Sequence, residues 1–147
     1  MTEQPKLEDF PLHDYDKLRF GDTDMLGHVN NAVFATLFET GRSALLALPG
    51  LDAWDLKTST FVTARLELDY LAEALWPGIM RVGTGIKSVG NSSAVLVQAL
   101  FQEQKAAAPK CVAKAQTVMV HLDLATKRPA PLPPEMREAL TKLIVKA

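Results

Sequence analysis

The strongest constraint on the fold is one long apolar helix that precedes several strand-like segments. From Asn31 to Leu48 the apolar residues recur at three- and four-residue steps, which is the period of an α-helix. Pro49-Gly50 ends this pattern. The apolar arc is broader than a surface helix carries. The sequence therefore predicts a helix over residues 31–48 that packs against a sheet.

Four strand-like segments follow this helix, and hairpin-length turns separate them. Residues 61–71 alternate, which predicts a half-buried strand. The residues expected on its apolar face are Val62, Ala64, Leu66, Leu68 and Tyr70. Three further strands are expected at residues 79–89, 92–103 and 110–124, and a short one before the helix at 16–22. Short connections imply antiparallel pairing, so we predict an α+β fold with the helix on one face of a curved sheet.

The two ends of the chain are expected to lie outside this core. Residues 1–14 are polar and carry Pro5 and Pro11, so they are predicted to form a loose arm. Residues 125–134 contain four prolines and favour an extended, unpaired segment. Apolar residues at helical spacing predict a short C-terminal helix over 134–145. A chain of 147 residues fits one domain, 1–147.

Composition argues against several classes of function. Seventeen acidic and sixteen basic residues give a formal charge of −1, and the longest basic cluster is Lys127-Arg128, so we expect no nucleic-acid partner. No apolar run approaches the roughly 18–20 residues that span a bilayer, and the N-terminus lacks a signal-peptide pattern. The single cysteine, Cys111, excludes an internal disulfide. These features predict a cytoplasmic protein with no membrane partner.

Residues 22–31 carry the densest functional pattern of the sequence. Asp22 and Asp24 precede Gly27 and His28, and two asparagines follow where the apolar helix begins. A helix N-terminus offers unpaired N–H groups and a partial positive charge, which stabilise an oxyanion. A carboxylate beside such donors can activate water or attack a carbonyl. The spacing therefore favours acyl transfer or hydrolysis.

This stretch resembles the hotdog-fold acyl-CoA thioesterases of the 4-hydroxybenzoyl-CoA thioesterase type. The resemblance is carried by Asp-Thr-Asp at 22–24, by Gly-His-Val-Asn-Asn at 27–31, and by Glu39 to Arg42 at the end of the helix. The same Gly-His-Val-Asn-Asn stretch is similar to plant acyl-ACP thioesterases. The specific part covers about 25 residues. The resemblance implies a hotdog fold, in which a curved antiparallel sheet wraps around a long central helix.

The resemblance also implies catalytic roles. Asp24 falls at the catalytic aspartate, which acts as nucleophile or general base. The backbone N–H groups around Gly27 and His28 would polarise the thioester carbonyl. His28 matches the histidine of the acyl-ACP type, which the 4-hydroxybenzoyl-CoA type lacks. Leu26 stands where the acyl-ACP type has an asparagine, so that mechanism does not transfer whole.

A second region is expected to bind the substrate. In the family, the hairpin between the strands at 79–89 and 92–103 commonly contacts coenzyme A, whose phosphates need cations and N–H donors. The predicted substrate-binding residues are Asn31, Arg65, Lys87, Gly90, Asn91 and Ser92, with Arg81 as a further candidate cation. The resemblance implies that the substrate is acyl-CoA or an acyl carrier protein thioester. No separate cofactor is expected, because coenzyme A belongs to the substrate.

Each functional interpretation has a structural alternative. Asp24 can act only as a cap or Asx-turn residue, and Asn30 and Asn31 as helix caps. His28 can cap the helix or pair with Asp22 or Asp24. We expect no metal site, because the candidate ligands come from one turn. Glu39 is solvated, pairs with Arg42 three residues later, or reaches an active site between subunits. His121 and Cys111 are interpreted as buried structural residues.

Two further functions remain open on the sequence. One is a hotdog enoyl-CoA hydratase, although the Asp-x-Asn-Pro-x-His pattern of those enzymes is missing. The other is a non-catalytic acyl-CoA-binding module. One helix and one sheet leave no deep pocket inside a monomer, so we expect a homodimer or homotetramer with the site between subunits. The residues predicted to form the acyl pocket are Leu26, Phe34, Phe38, Trp54 and Phe61.

Overall fold

A five-stranded antiparallel sheet carries one long helix on its inner face. The computed structural model describes residues 3–51 and 57–146. Its main elements are β1 (Leu12–Lys17), α1 (Asn31–Leu46), β2 (Ser59–Tyr70), β3 (Ile79–Val89), β4 (Ser93–Gln102), β5 (Lys110–Asp123) and α2 (Pro134–Thr141). The strands lie in the order β1-β3-β4-β5-β2, and every neighbouring pair is antiparallel. The predicted α+β architecture is confirmed.

The helix α1 begins where its cap predicts. The side chain of Asn30 accepts a hydrogen bond from the Ala32 N–H at 2.9 Å, which satisfies one of the free amides at a helix start. The apolar side of α1 packs on β1, β3 and β4. Phe34 and Phe38 are buried there together with Met80 and Leu100 of the sheet. The fold thus places the N-terminus of α1 beside the turn that carries the motif.

Strand β2 forms one edge of the sheet and contains a β-bulge. Its register against β5 shifts between Thr63 and Arg65. The alternation predicted for residues 61–71 assumed an unbroken strand and is therefore wrong at its start: Val62 faces the same side as Arg65, and Phe61 points inward. Beyond the bulge, Leu66 and Tyr70 face the helix side but remain substantially exposed. The inner face of β2 is consequently only partly covered.

The N-terminal segment corrects two predictions. Residues 1–14 were expected to form a loose arm, but Leu7–Asp9 form a 3-10 turn and β1 already begins at Leu12. The ring of Phe10 packs on the outer face of β3 at Gly83, where an added Cβ would lie 2.5 Å from that ring. The strand expected at 16–22 instead ends at Lys17, and Phe20–Asp22 form a second 3-10 turn.

The C-terminal segment packs against β3 and the hairpin that follows it. α2 ends at Thr141 rather than at 145, because Ile144 forms a parallel bridge with Ile86 of β3. The proline-rich segment is not free: the Leu132 N–H donates to the Asn91 carbonyl at 2.9 Å. Within the described ranges, no helix is long and apolar enough to cross a membrane.

Candidate functional site

Asp24 lies in a small ladder of three backbone segments at the start of α1. Thr23 pairs with Val29, and His28 pairs with Leu75, both antiparallel. The Asp24 N–H donates to the His28 carbonyl at 3.0 Å, and the Val29 N–H donates to the Ala74 carbonyl at 2.8 Å. The ladder fixes the predicted catalytic residues Asp24 and His28 across from each other and joins them to the segment after β2.

The turn between Asp24 and His28 explains the glycine of the motif. Gly27 has φ of 81°, a left-handed conformation that side chains disfavour, and its N–H donates to the Asp24 carbonyl at 3.0 Å. The Asp24 carboxylate accepts the Leu26 N–H through Oδ1 at 2.9 Å. Asp24 therefore forms an Asx turn, which is the structural role that the sequence offered as the alternative to catalysis. Its Oδ2 has no hydrogen-bond partner in the described part of the chain.

The two amides expected to polarise a carbonyl differ in their bonding. The Gly27 N–H is engaged by the Asp24 carbonyl, as described above. The His28 N–H donates to no acceptor among the residues that the structure describes. Of the two amides predicted to polarise a carbonyl, the His28 N–H is therefore the one left free within the described chain, whereas the Gly27 N–H supports the turn geometry.

Asp22 is a structural residue of the same region. It is buried and accepts hydrogen bonds from the Arg19 N–H at 2.8 Å and from the Arg19 guanidinium at 2.9 Å. Burial alone raises the pKa of the Asp22 carboxyl, but the bonds from Arg19 outweigh it and hold that pKa below its ordinary value. Asp22 thus remains ionised and anchors the turn that precedes Asp24.

The side chain of His28 pairs with Glu73, and not with Asp22 or Asp24 as the sequence allowed. Its Nε2 lies 2.7 Å from Oε2 of Glu73, and both side chains are partly exposed. Glu73 follows β2 and lies 45 residues from His28 along the chain. No motif or spacing marks it in the sequence. Only the pairing of His28 with Leu75 brings it close.

A shallow cavity of about 260 Å³ lies beside this pair. It is lined by His28, Val29, Asn31, Phe34, Tyr70, Leu71, Ala72 and Glu73. The Tyr70 hydroxyl donates to the Asn31 carbonyl at 2.9 Å, and the rings of Tyr70 and Phe34 are 5.2 Å apart. The cavity therefore joins the start of α1 to the end of β2. The predicted substrate contact Asn31 lies in its wall.

The other predicted acyl-pocket residues are scattered. Leu26 is largely exposed at the tip of the turn, whereas Phe38 is fully buried in the core. Phe61 is buried beside the His121 ring, 5.4 Å away. Trp54 lies outside the described residues. Only Phe34 of this set lines the cavity beside His28.

The predicted phosphate-binding cations lie elsewhere. Arg65 and Lys87 line a depression of about 250 Å³ with Val95, Gln116 and Val118, on the face of the sheet opposite α1. The guanidinium of Arg65 is paired with the Glu67 carboxylate, and that of Arg81 with the Glu103 carboxylate. Within one protomer, Arg65 and Lys87 do not share a cavity with Asp24.

The predicted hairpin contacts have structural bonds. The carbonyls of Gly90 and Asn91 accept from the Arg137 guanidinium of α2 at 2.9 and 3.2 Å, and the Ser92 carbonyl accepts from the His121 N–H at 2.8 Å. The hairpin follows β3, whereas Asp24 lies near the end where β3 begins. Eleven residues of strand separate these ends by roughly 33 Å.

The remaining candidates lie away from the cavity. Cys111 is buried, and this burial raises the pKa of its thiol. His121 is also buried, with Nδ1 bonded to the Ala130 carbonyl at 3.0 Å and no partner at Nε2 among the described residues. Glu39 is exposed on α1. Within the ranges 3–51 and 57–146, no three His, Cys, Asp or Glu side chains cluster as metal ligands do.

Comparisons with known proteins agree with this architecture. The family model of the thioesterase-like superfamily matches residues 18–140. No curated protein matches the sequence. The PA5185 protein of Pseudomonas aeruginosa is 27% identical, with a TM-score of 0.86 over 97% of this chain and 98% of that one.

Two further solved structures are similar. A thioesterase from Thermus thermophilus, solved with coenzyme A and zinc, is 34% identical, with a TM-score of 0.79 over 92% of this chain and 96% of that one. A predicted thioesterase from Bacillus stearothermophilus is 26% identical, with a TM-score of 0.79 over 92% and 97%. These matches confirm the hotdog fold. They do not distinguish the 4-hydroxybenzoyl-CoA thioesterase type from other members of the superfamily. With 123 of its 147 residues inside the family model, the chain belongs to the thioesterase-like superfamily.

Proposed function

We propose that this protein hydrolyses acyl-CoA thioesters and that Asp24 is the general base or nucleophile. The observation that carries the proposal is the position of Asp24, in a tight turn at the start of α1 and directly across a backbone ladder from His28. Membership of the thioesterase-like superfamily supports the reaction class. The coenzyme A bound to the Thermus thermophilus relative supports the carrier.

The chemistry assigned to Asp24 uses its free carboxylate oxygen. Oδ1 is engaged by the Leu26 N–H, which fixes the plane of the carboxylate, and Oδ2 is left to meet water or the thioester carbon. When Oδ2 takes a proton from water, the water oxygen bonds to the carbonyl carbon. The C–S bond then breaks, and the thiolate leaves with the electron pair and takes up a proton. The His28 N–H, which has no acceptor in the described chain, is the donor assigned to the developing oxyanion in this scheme.

The active site of this proposal is completed by a second copy of the chain. Within the described chain, α1 leaves the inner face of β2 only partly covered: Leu66 and Tyr70 stay exposed, and Tyr70 lines the cavity beside His28. An edge strand with apolar side chains pairs readily with another strand. A partner protomer seated on β2 would deepen the shallow cavity. We therefore propose a homodimer, or a homotetramer built from it.

We also propose that Arg65 and Lys87 are the cations that bind the phosphates of coenzyme A. They lie on the outer face of the sheet, so an acyl-CoA bound to Asp24 of the same protomer would have to cross the β2 edge to reach them. Asn91 and Ser92 stay candidates through their N–H groups and side chains, because their carbonyls are engaged. Gly90 is dropped from the proposed contacts, because its N–H donates to the Ser93 carbonyl at 2.7 Å and its carbonyl accepts from Arg137. An acyl carrier protein thioester remains the alternative substrate.

The test is thiol release from short, long and aromatic acyl-CoA thioesters by the parent, Asp24→Asn and Asp14→Asn. Asp14 is a matched control, since its carboxylate also accepts a neighbouring backbone N–H, at 2.7 Å, but on β1. We expect Asp24→Asn to lower kcat/KM by about 10²- to 10⁴-fold and Asp14→Asn to leave it unchanged. Full turnover by Asp24→Asn on every thioester that the parent hydrolyses overturns the mechanism.

Two other outcomes overturn the proposed reaction itself. Loss of the crotonyl-CoA double bond without thiol release identifies a hydratase. Tight binding of acyl-CoA with no turnover identifies a binding module.

A further inference from the structure

We propose that Glu73 is a positioning residue that holds the His28 ring through Nε2, so that Nδ1 is the nitrogen presented to the substrate. This inference rests on the proposed thioesterase activity and adds a role for a residue outside the motif. It begins from one contact, the 2.7 Å approach of Glu73 Oε2 to His28 Nε2.

The contact follows from the backbone register. His28 is paired with Leu75 in an antiparallel bridge, and Glu73 lies two residues before Leu75. Residues two apart on an extended segment face the same side, so Glu73 is the diagonal neighbour of His28. A glutamate is long enough to span that diagonal. The bond between the Val29 N–H and the Ala74 carbonyl, at 2.8 Å, holds the two segments in this register.

The contact determines which ring nitrogen is available. An ionised carboxylate only accepts hydrogen bonds, so its partner nitrogen must carry a proton. A neutral His28 ring bonded in this way has its proton on Nε2 and its lone pair on Nδ1. Nδ1 has no hydrogen-bond partner among the described residues. It is therefore the atom left to bond to a bound thioester or to the reacting water.

The residues around the contact between His28 and Glu73 connect it to the proposed active site. His28 and Glu73 line the same cavity as Asn31, Phe34 and Tyr70. The His28 carbonyl also accepts the Asp24 N–H, so one short segment positions both the proposed base and the ring. A partly exposed ion pair contributes little to folding stability. Replacing Glu73 should therefore change catalysis more than it changes the fold.

Kinetics on a thioester that the parent hydrolyses test the role. We expect Glu73→Ala to lower kcat by about tenfold or more with little change in KM, as losses of such orienting partners do. Glu73→Gln keeps an oxygen acceptor and should recover most of this loss. Glu138→Gln is the matched control, because Glu138 forms an exposed ion pair with Lys142 at 3.4 Å on α2. It should match the parent.

A double-mutant cycle with His28→Gln separates positioning from other effects. If Glu73 acts only through His28, Glu73→Ala should cause no further loss of kcat in the His28→Gln background. Additive losses overturn the proposal, as does a Glu73→Ala variant with the parent's kcat.

An NMR measurement tests the contact without any activity. The ¹H–¹⁵N spectrum of the parent should contain a His28 Nε2–H proton that the bond protects from exchange, and His28→Gln assigns it. This signal should persist in Glu73→Gln and disappear in Glu73→Ala. Its presence unchanged in Glu73→Ala overturns the positioning role. A parent that is inactive on all thioesters overturns the proposed function and the kinetic part of this inference, whereas the NMR result decides the contact on its own.

Discussion

Gln98 of β4 donates a hydrogen bond from Nε2 to the Phe38 carbonyl of α1, at 2.9 Å. The same amide donates to Thr84 Oγ1 at 2.9 Å, so a buried polar pair lies directly beneath the helix. Gly41, one turn after Phe38, lets the helix approach this pair. A Cβ at Gly41 would lie 2.7 Å from Gln98 Nε2 and 2.6 Å from Thr84 Oγ1.

We predict that Gly41→Ala destabilises the fold even though alanine favours helices. The added methyl group must displace Gln98 or Thr84 and break a buried hydrogen bond, which costs about 1–3 kcal/mol in a packed core. Denaturant unfolding measures this loss. Gly21→Ala is the control, because nothing lies within 4 Å of its Cβ position. Equal stability of Gly41→Ala and the parent would contradict the close packing.

We predict that the uncovered face of β2 is where copies of the chain associate. Leu66 faces the helix side of this edge strand and is 38% exposed. Leu66→Glu would place a charge there and should convert the proposed dimer to a monomer, measured as mass by light scattering. Ile144→Glu, at 43% exposure on the C-terminal segment, should keep the parent mass. A Leu66→Glu variant with an unchanged mass speaks against association through β2.

We predict that Asp22 contributes stability that acid removes. Because its pKa in the folded state lies below the ordinary value of about 3.9, the contribution is present above that value. It is lost as the pH falls through the folded-state pKa and Asp22 becomes protonated. The slope of unfolding free energy against pH below about pH 4 should therefore be smaller in Asp22→Asn. An identical slope in both proteins would show that the carboxylate is not stabilised by Arg19.

The elements that the sequence predicted well are those with a strong local period. α1 and the strands β2 to β5 lie within two residues of their expected bounds, since their apolar spacing reflects burial. β1 was misplaced because it is an edge strand with mostly polar, exposed side chains, so it lacks an alternating pattern. The bulge in β2 leaves no signal either, because its unpaired residue, Ala64, continues the apolar alternation from Val62 to Leu66.

The candidate site likewise has one part that the sequence predicts and another part that only the fold brings together. Asp24, Gly27 and His28 are close in sequence, and a glycine between them indicates a turn, so their proximity follows from the chain itself. The residues opposite them, Tyr70 and Glu73, come from the end of β2. Their approach depends on a bridge between distant segments, which no local pattern encodes.

The order of elements and the motif at the start of α1 were determined by the sequence alone, since periodicity and turn chemistry act over a few residues. The tertiary structure decided which side chains meet: Glu73 at His28, Gln98 at the Phe38 carbonyl, and Arg65 with Lys87 on the far face of the sheet. These contacts depend on the register of the strands. The register depends in turn on the packing of the whole core, so local sequence alone does not determine it.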